Sequence, residues 1–295
     1  MKAVLLTGYG DVDQLQYTDA PDPRPGPGEV LIQVVSTSVN PVDYKIRRGA
    51  LRSFMPVQFP AILGRDVAGK VVEVGPGVDS FQAGNQVMGL VNKSYAQYLV
   101  AKADELCRVP DGLDLTDAGS LPLVLITGAQ LIEKGINPPP GQTVLITGAV
   151  GSVGRTAVYV AKSLDARVIA GVRGKQKAEA EGLGPKTVVA LDDDSEIQKL
   201  KPFDAIADII GGEAIAKLLP KWNRAGKFAS LVGGGPAEVV HVWAQPDPKR
   251  LYALAQDVAA GKLRIPIARK LPLSEIREAH RLAESGAQGK IVLLP

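Results

Sequence analysis

The fold class can be inferred from one stretch of sequence, Val144-Leu-Ile-Thr-Gly-Ala-Val-Gly-Ser-Val-Gly154. Its first four residues form an apolar, β-branched run that is typical of a buried strand, and a helical period follows the last glycine. Three glycines spaced as GxxGxxG join the two elements. Glycines at this place let the backbone approach a pyrophosphate group at the N-terminus of a helix, and the last one allows the helix to pack closely on the strand. The stretch therefore predicts a dinucleotide-binding unit.

The predicted phosphate loop consists of Gly148, Ala149, Val150, Gly151, Ser152, Val153 and Gly154. Its spacing differs from the more common GxGxxG pattern, but it has the strand–loop–helix context that such a pattern requires. A glycine motif alone is weak evidence, and a tight turn without a ligand is the alternative interpretation. The context favours dinucleotide binding.

Strands and helices alternate along the chain from Val144 onward. The predicted strands are Val144–Thr147, Arg167–Val172, Thr187–Leu191, Ala205–Ile210 and Lys227–Val232. Helical periods separate most of them, at Thr156–Leu164, Gln176–Gly182 and Ala214–Leu219. Such alternation is typical of parallel βαβ units. We therefore expect an α/β fold with a doubly wound parallel sheet of the Rossmann type.

The region before this sheet, residues 1–118, has a different pattern. Short β-branched runs such as Val30–Val35 and Val67–Val74 alternate with turn signals. The whole chain contains 32 Gly and 22 Pro, and apolar segments lie between these breakers, which indicates many tight turns rather than disorder. Short strands separated by turns predict a barrel or a sandwich.

The end of the second Rossmann strand carries positive charge. Proteins that prefer NAD place an Asp or Glu near this position, where it accepts a hydrogen bond from the ribose 2′-hydroxyl. Here the position holds Arg173, followed by Lys175, and no acidic residue lies between Arg167 and Gln176. A guanidinium group can bind a 2′-phosphate through two hydrogen bonds. The sequence therefore predicts NADP(H) rather than NAD(H), with a solvated basic turn as the alternative.

A second group of glycines follows the strand Lys227–Val232. Gly233 and Gly234 would lie at the carboxyl edge of the sheet, where the nicotinamide half of a dinucleotide passes. We expect them to contact the cofactor. A flexible loop without such a contact is the alternative.

Composition excludes several classes of protein. One Cys rules out an intramolecular disulfide framework, and together with two His it leaves little material for a metal site. The 34 Lys and Arg nearly balance the 31 Asp and Glu, which argues against a dedicated nucleic-acid binder. No apolar run has the length of a membrane span or of a signal peptide. We expect a cytoplasmic protein without nucleic-acid or membrane partners.

Six motifs, together with the glycine loop, resemble the medium-chain dehydrogenase/reductase superfamily and, within it, the zinc-independent NADPH:quinone oxidoreductases. They run nearly end to end and are Asn40–Gly49, Pro60–Gly69, Val71–Gly84, Tyr95–Tyr98, Leu121–Thr127 and Gly289–Leu293. The resemblance implies a GroES-like partial β-barrel built from residues 1–118 and 265–295, with the Rossmann domain, residues 119–264, inserted between them. It also implies an active site in the cleft between the domains and a homodimer.

The resemblance implies chemistry without a metal. Asn40 stands where zinc-dependent relatives have their first Cys ligand, and Arg65 stands where they have His. Neither side chain is a suitable zinc ligand. Quinones and activated enones accept hydride without a Lewis acid, so the resemblance implies NADPH-dependent reduction of such small molecules. A reductase of alkenal or enone double bonds and a non-catalytic, NADPH-binding redox sensor are the rival hypotheses.

Three residues are catalytic candidates. Asn40 would hydrogen-bond the cofactor ribose or the substrate oxygen, and Tyr44 would donate to a developing oxyanion. Thr127 resembles the family threonine that lies near the carboxamide of the cofactor. Each has a structural alternative: Asn40 precedes a proline and can form a turn, and Tyr44 can be a packing aromatic.

Overall fold

The computed structural model describes every residue from Met1 to Pro295. The chain forms two compact units: the first comprises Met1–Leu123 and Pro246–Pro295, and the second comprises Val124–Gln245. The strands in chain order are β1 (Lys2–Leu6), β2 (Leu15–Asp19), β3 (Glu29–Val39), β4 (Ala61–Ile62), β5 (Asp66–Val74), β6 (Gln86–Leu90), β7 (Tyr98–Lys102), β8 (Leu106–Arg108), β9 (Thr143–Thr147), β10 (Arg167–Val172), β11 (Thr187–Ala190), β12 (Ala205–Asp208), β13 (Phe228–Ser230), β14 (Val240–His241), β15 (Ile267–Pro272) and β16 (Lys290–Leu294). The α-helices are α1 (Pro41–Arg47), α2 (Leu115–Ala118), α3 (Pro122–Gln130), α4 (Ser152–Ser163), α5 (Lys177–Glu181), α6 (Asp194–Lys199), α7 (Glu213–Leu218), α8 (Pro248–Ala259) and α9 (Ile276–Glu284).

The second unit is built on one six-stranded sheet whose neighbouring strands are all parallel. Its order is β11-β10-β9-β12-β13-β14, so the chain begins in the middle, builds one half and returns to build the other. Strand β12 is buried at each position, as expected for a sheet that helices cover on both faces. This is the strand order of a Rossmann sheet, and it confirms the predicted doubly wound fold.

The first unit contains two sheets of mostly antiparallel strands. The smaller has the order β2-β1-β4, and the larger has the order β15-β16-β3-β5-β6-β8, with β7 also pairing with β3. Only β15 and β16 run parallel. One apolar cluster lies among β3, β5 and β7, and another lies around α1 and α9. The short strands of this unit agree with the barrel or sandwich expected for the N-terminal region.

The two units divide at positions that differ from the predicted domain limits of 118/119 and 264/265. The division falls between Leu123 and Val124 and between Gln245 and Pro246. Helix α8, which the sequence placed in the Rossmann domain, packs on β6 and β8 of the first unit. The domain limits stay predictions.

None of the helices combines the length and the apolar character that crossing a bilayer requires.

Candidate nucleotide-binding and active site

The glycine loop lies between β9 and α4. Gly148 follows β9 directly, and its φ of 65° lies in the left-handed region that favours glycine. A Cβ atom on Gly154 would lie 2.1 Å from the carbonyl oxygen of Gly148. Position 154 therefore requires glycine, because any side chain would push α4 away from the end of β9.

The first turn of α4 is open toward a ligand. Gly151 is the N-cap residue, and no side chain caps the N–H groups of this turn. Free N–H groups and the positive end of the helix dipole together form a favourable site for phosphate. Helix α4 spans Ser152–Ser163, which is long enough for a substantial dipole. The loop therefore fits the pyrophosphate of a dinucleotide.

Arg155 braces this loop, a role that the sequence analysis missed. Its Nε donates a hydrogen bond to the carbonyl oxygen of Val150 at 2.9 Å, and its guanidinium forms an ion pair with Glu179 of α5. The side chain is almost completely buried. Arg155, which belongs to α4, therefore connects the glycine loop to α5. The sequence signal that could have predicted this role is the position of Arg155 directly after the third glycine of the loop.

Asp208 organises the carboxyl ends of three strands. Its carboxylate accepts hydrogen bonds at 2.8 Å from the hydroxyl groups of Thr147 and Ser230. The N–H groups of Ile210 and Gly211 donate to it as well. A buried carboxylate with this many donors is stabilised within the protein. Asp208 thus fixes the edge of the sheet on which a nucleotide would lie, and the sequence analysis did not single it out.

The turn after β10 has exposed, positively charged side chains. Arg173 and Lys175 are both exposed, and neither forms an ion pair. The backbone N–H of Arg173 donates to Gln176 Oε1 at 3.2 Å, and that of Gly174 donates to Asp192 Oδ1 at 2.7 Å. The guanidinium is therefore free to bind an anion, but the Asp192 carboxylate, which was not predicted here, contacts the backbone of the next residue.

Gly233 and Gly234 line a pocket of about 300 Å³ in the second unit. Asp208, Ile215 and Phe228 are among its other lining residues. Gly234 has a φ of 93°, which a residue with a side chain rarely adopts. The pocket lies at the carboxyl edge of the sheet, where these glycines were expected.

Thr127 lies on α3 in the second unit and is half-buried. Its neighbour Gly128 packs against α4, because a Cβ atom there would lie 2.6 Å from Cβ of Thr156. Helix α3 is therefore fixed against the helix that follows the glycine loop.

The first unit contains a buried polar cluster around Asn40. The Asn40 side chain accepts a hydrogen bond from Lys290 Nζ at 2.5 Å and donates one to Asp66 Oδ2 at 2.7 Å. The hydroxyl of Ser38 also donates to Asp66, and Lys290 lies 3.5 Å from the same carboxylate. Burial lowers the pKa of Lys290, and the nearby carboxylates act in the opposite direction. Both ends of the Asn40 amide are used within the protein.

Asp43 links this cluster to α1. Its Oδ2 accepts a hydrogen bond from the backbone N–H of Asn40 at 2.8 Å, so it holds the first turn of the helix. Burial raises the pKa of Asp43 to about 6, although the Asn40 N–H and the Tyr95 hydroxyl act against that increase. Tyr95 faces this carboxyl group, but neither its hydroxyl nor Asp43 Oδ1 makes a hydrogen bond of normal geometry.

Helices α1 and α9 also enclose an ion pair and a histidine. Arg47 pairs with Glu284, and its guanidinium is completely buried. His280 lies one turn before Glu284 on α9, and its ring meets that of Tyr95 edge to face with centroids 5.9 Å apart. Burial, with Arg47 as the second cause, lowers the pKa of His280 to about 3. His280 is therefore a neutral residue packed in the interior.

Tyr44 is half-buried and packs against the apolar cluster around α1 and α9. Burial raises the pKa of its hydroxyl, and the carboxylate of Glu284 raises it further. The hydroxyl therefore stays protonated at neutral pH, where it can donate a hydrogen bond.

Comparisons with known proteins agree with this architecture. Residues 26–119 match the alcohol dehydrogenase GroES-like domain, and residues 183–293 match the zinc-binding dehydrogenase family. The chloroplast envelope quinone oxidoreductase homolog of Arabidopsis thaliana is 29% identical, with 100% of this chain and 98% of that protein covered. The mitochondrial NAD(P)H oxidoreductase RTN4IP1 of Mus musculus is 31% identical, with 90% of this chain and 82% of that protein covered.

A solved structure, the quinone oxidoreductase from Coxiella burnetii, has the same fold. Its TM-score is 0.89 at 28% identity, and the alignment covers 100% of this chain and 99% of that one. Together these similarities confirm the predicted resemblance and the combination of a GroES-like domain with a Rossmann sheet.

One matching family is named for zinc, which proteins bind through Cys, His, Asp and Glu side chains. No group of three or more His, Cys, Asp or Glu is arranged to hold a metal ion. Cys107 is buried beside the carbonyl oxygen of Met88, and burial raises the pKa of its thiol to about 12. This lone thiol would supply only one of the several ligands that a zinc site needs. The residues present do not fit zinc, and zinc-independent activity stays a prediction.

Proposed function

Because this chain belongs to the quinone oxidoreductase family of the medium-chain dehydrogenase/reductases, we propose that it reduces quinones with hydride from NADPH. The observation that carries the proposal is the open glycine loop, where the uncapped first turn of α4 meets the close packing at Gly154. When bound, the nicotinamide supplies the hydride. The chain's own residues have to hold the nucleotide and orient the acceptor.

Arg173 supports NADPH over NADH in this proposal. Its guanidinium is exposed and free of ion pairs at the end of β10, where a 2′-phosphate would arrive. Lys175 adds a second positive charge two residues later. Charge-assisted hydrogen bonds from guanidinium to phosphate are about twice as strong as neutral ones.

Two of the three catalytic candidates keep a direct role in the proposal. Tyr44 keeps its proton, so it can donate a hydrogen bond to the oxygen on which negative charge develops. Thr127 would orient the carboxamide of the cofactor from α3. Both polar atoms of the Asn40 side chain already form hydrogen bonds within the protein, which supports a positioning role instead. Asn40 and Asp43 together fix the start of the helix that carries Tyr44.

Quinones suit a site without a Lewis acid, because they spread the incoming charge onto a distant oxygen. The protein then needs only orientation and one hydrogen bond. We expect dialysis against a metal chelator to leave quinone reduction unchanged, and elemental analysis to find no stoichiometric zinc. A loss of activity that added zinc restores would contradict this part of the proposal.

The deciding assay follows anaerobic oxidation of NADPH with a panel of quinones and a matched panel of enones. Turnover of quinones supports the proposal. Turnover of enones alone would replace it with the double-bond reductase. Binding of NADPH without turnover of either class would favour the redox sensor, although the buried thiol of Cys107 gives a sensor no reactive sulfur.

We also expect a homodimer and a cytoplasmic location. The outermost strand of the Rossmann sheet, β14, has an unpaired edge. Val240 in this strand and Trp243, two residues after it, are 43% and 46% exposed. An exposed edge with apolar side chains favours pairing with another chain. Light scattering coupled to size-exclusion chromatography would test the dimer.

A further inference from the structure

Three consecutive aspartates, Asp192–Asp194, follow β11, and two of them have structural roles. Asp193 caps α6 by accepting a hydrogen bond from the N–H of Ser195 at 2.9 Å. Asp194 forms an ion pair of 2.6 Å with Lys217 of α7. The third, Asp192, is exposed and has no cationic partner.

Asp192 reaches the turn that was predicted to bind the 2′-phosphate. Strands β10 and β11 are parallel neighbours, with Val172 opposite Ala190, so the two chain segments leave the sheet side by side. Two residues beyond that pair, Asp192 Oδ1 accepts a hydrogen bond from the N–H of Gly174 at 2.7 Å. A negative charge is therefore attached to the backbone between Arg173 and Lys175.

The other charges around this turn are neutralised. Lys177 pairs with Glu196 at 2.7 Å, and Arg155 pairs with Glu179. Asp193 has no cationic partner, but its carboxylate is engaged in capping α6. Beside the turn itself remain the unpaired cations of Arg173 and Lys175 and the carboxylate of Asp192. They act on a 2′-phosphate in opposite directions.

We propose that Asp192 is a specificity-determining residue that limits the preference of this protein for NADP(H) over NAD(H). The inference rests on the proposed function, because it assumes that a dinucleotide binds along the carboxyl edge of the sheet. The carboxylate repels a 2′-phosphate, whereas it can accept a hydrogen bond from the 2′-hydroxyl of NADH. Asp192 also occupies the Gly174 N–H, which a phosphate oxygen would otherwise use. The protein consequently accepts both nucleotides, and Arg173 decides which is preferred.

The test uses two nucleotide fragments that lack the nicotinamide half. Adenosine 2′,5′-bisphosphate carries the 2′-phosphate, and adenosine 5′-monophosphate carries the 2′-hydroxyl. Their dissociation constants are measured by calorimetry at low salt for the wild type, Asp192→Asn and Asp194→Asn. Asn at position 192 keeps the oxygen that accepts from Gly174 and removes only the charge. Asp194→Asn is the matched control, because it removes the same charge from the same segment.

We expect Asp192→Asn to bind the bisphosphate about fivefold more tightly, since one charge a few ångströms away in water has an effect of this order. Its affinity for the monophosphate should stay the same or decrease, and Asp194→Asn should change neither. Equal changes for both fragments, or no change in the bisphosphate affinity, would overturn the role of Asp192 while leaving nucleotide binding intact. If the wild type binds neither fragment, the proposed function fails and the inference fails with it.

Discussion

In the first unit, Asn40, Asp66 and Lys290 hydrogen-bond one another in the interior, whereas in the second unit the first turn of α4 and the guanidinium of Arg173 have no protein partner. Each region contains a residue that the sequence marked as functional, Asn40 in the first and Arg173 in the second. The first region is saturated by its own side chains, so it stabilises the fold and holds α1 in place. The second leaves donors and charge free, and free donors are what a phosphate group needs. Sequence motifs alone do not separate these two uses.

Replacing Lys290 should have the largest effect on the saturated cluster. Lys290→Met removes the cation and leaves the buried Asp66 carboxylate and the Asn40 oxygen without it. Breaking a buried pair in this way costs about 3–5 kcal/mol of unfolding free energy, which denaturant titration measures. Lys262→Met is the control, because Lys262 pairs with Asp257 at the surface and should cost at most about 1 kcal/mol. If both variants lost the same unfolding free energy, the buried cluster around Asn40 would be no more important for stability than an exposed ion pair.

Replacing Gly154 should damage the open region instead. Gly154→Ala places a Cβ atom against the Gly148 carbonyl, so α4 has to move away from β9. We expect a loss of about 1–3 kcal/mol in stability, together with a loss of NADPH binding that exceeds what the stability change explains. Gly182→Ala is the control, because its nearest neighbour would lie 3.3 Å away. Retained NADPH affinity in Gly154→Ala would contradict the assigned phosphate loop.

The buried His280 should affect stability at acidic pH. Its folded-state pKa of about 3 lies below its ordinary value of 6.5, so the unfolded chain binds a proton first and stability falls as the pH drops below 6.5. His280→Phe keeps the contact with Tyr95 and removes this proton site. Relative to the wild type, the variant should gain about 2 kcal/mol between pH 6.5 and pH 5.

Asp43 should change the pH dependence of stability in the direction opposite to that of His280. Its pKa is raised to about 6, so the folded state takes up the proton first, and the contribution of Asp43 to stability is lost as the pH rises through 6. Asp43→Asn should therefore lose stability relative to the wild type as the pH falls. Parallel pH curves for all three proteins would show that neither group is buried as described.

Replacing Arg173 should have the smallest effect, because the side chain is exposed. Arg173→Ala should weaken NADPH binding about tenfold, the size of one charge-assisted hydrogen bond, and leave NADH binding unchanged. Fluorescence titration with the two nucleotides measures both constants. If the ratio of the NADPH and NADH dissociation constants did not change, the basic turn would be a solvated surface without a role in phosphate binding, which was the alternative interpretation of the sequence.

The strand–loop–helix pattern at Val144–Gly154 was sufficient to predict the Rossmann sheet, because local periodicity and glycine spacing determine such a unit. The polar networks were not predictable in the same way. Lys290 contacts Asn40 across 250 residues of chain, and Asp208 joins strands that are distant in sequence. Asp192 was not predictable for a related reason: the sequence shows which side chains follow β10, but this carboxylate reaches the turn from the neighbouring strand β11.

The positioning role that we propose for Asn40 depends on this difference between local and distant information. The sequence left Asn40 open between a substrate contact and a turn. Its four hydrogen-bonding partners support the second. Ser38 and Asp43 are neighbours in sequence, whereas Asp66 and Lys290 are 26 and 250 residues away and are brought to Asn40 only by the fold.

The most direct test of the account is a single-turnover reaction under anaerobic conditions. Protein loaded with NADPH is mixed with excess quinone, and the nicotinamide absorbance is followed with deuterium at either of the two C4 positions. We expect complete oxidation of the bound NADPH, with one hydroquinone formed for each NADPH. The oxidation should be slower when deuterium occupies one of the two C4 positions and unchanged when it occupies the other. Bound NADPH that quinones do not oxidise would contradict this expectation.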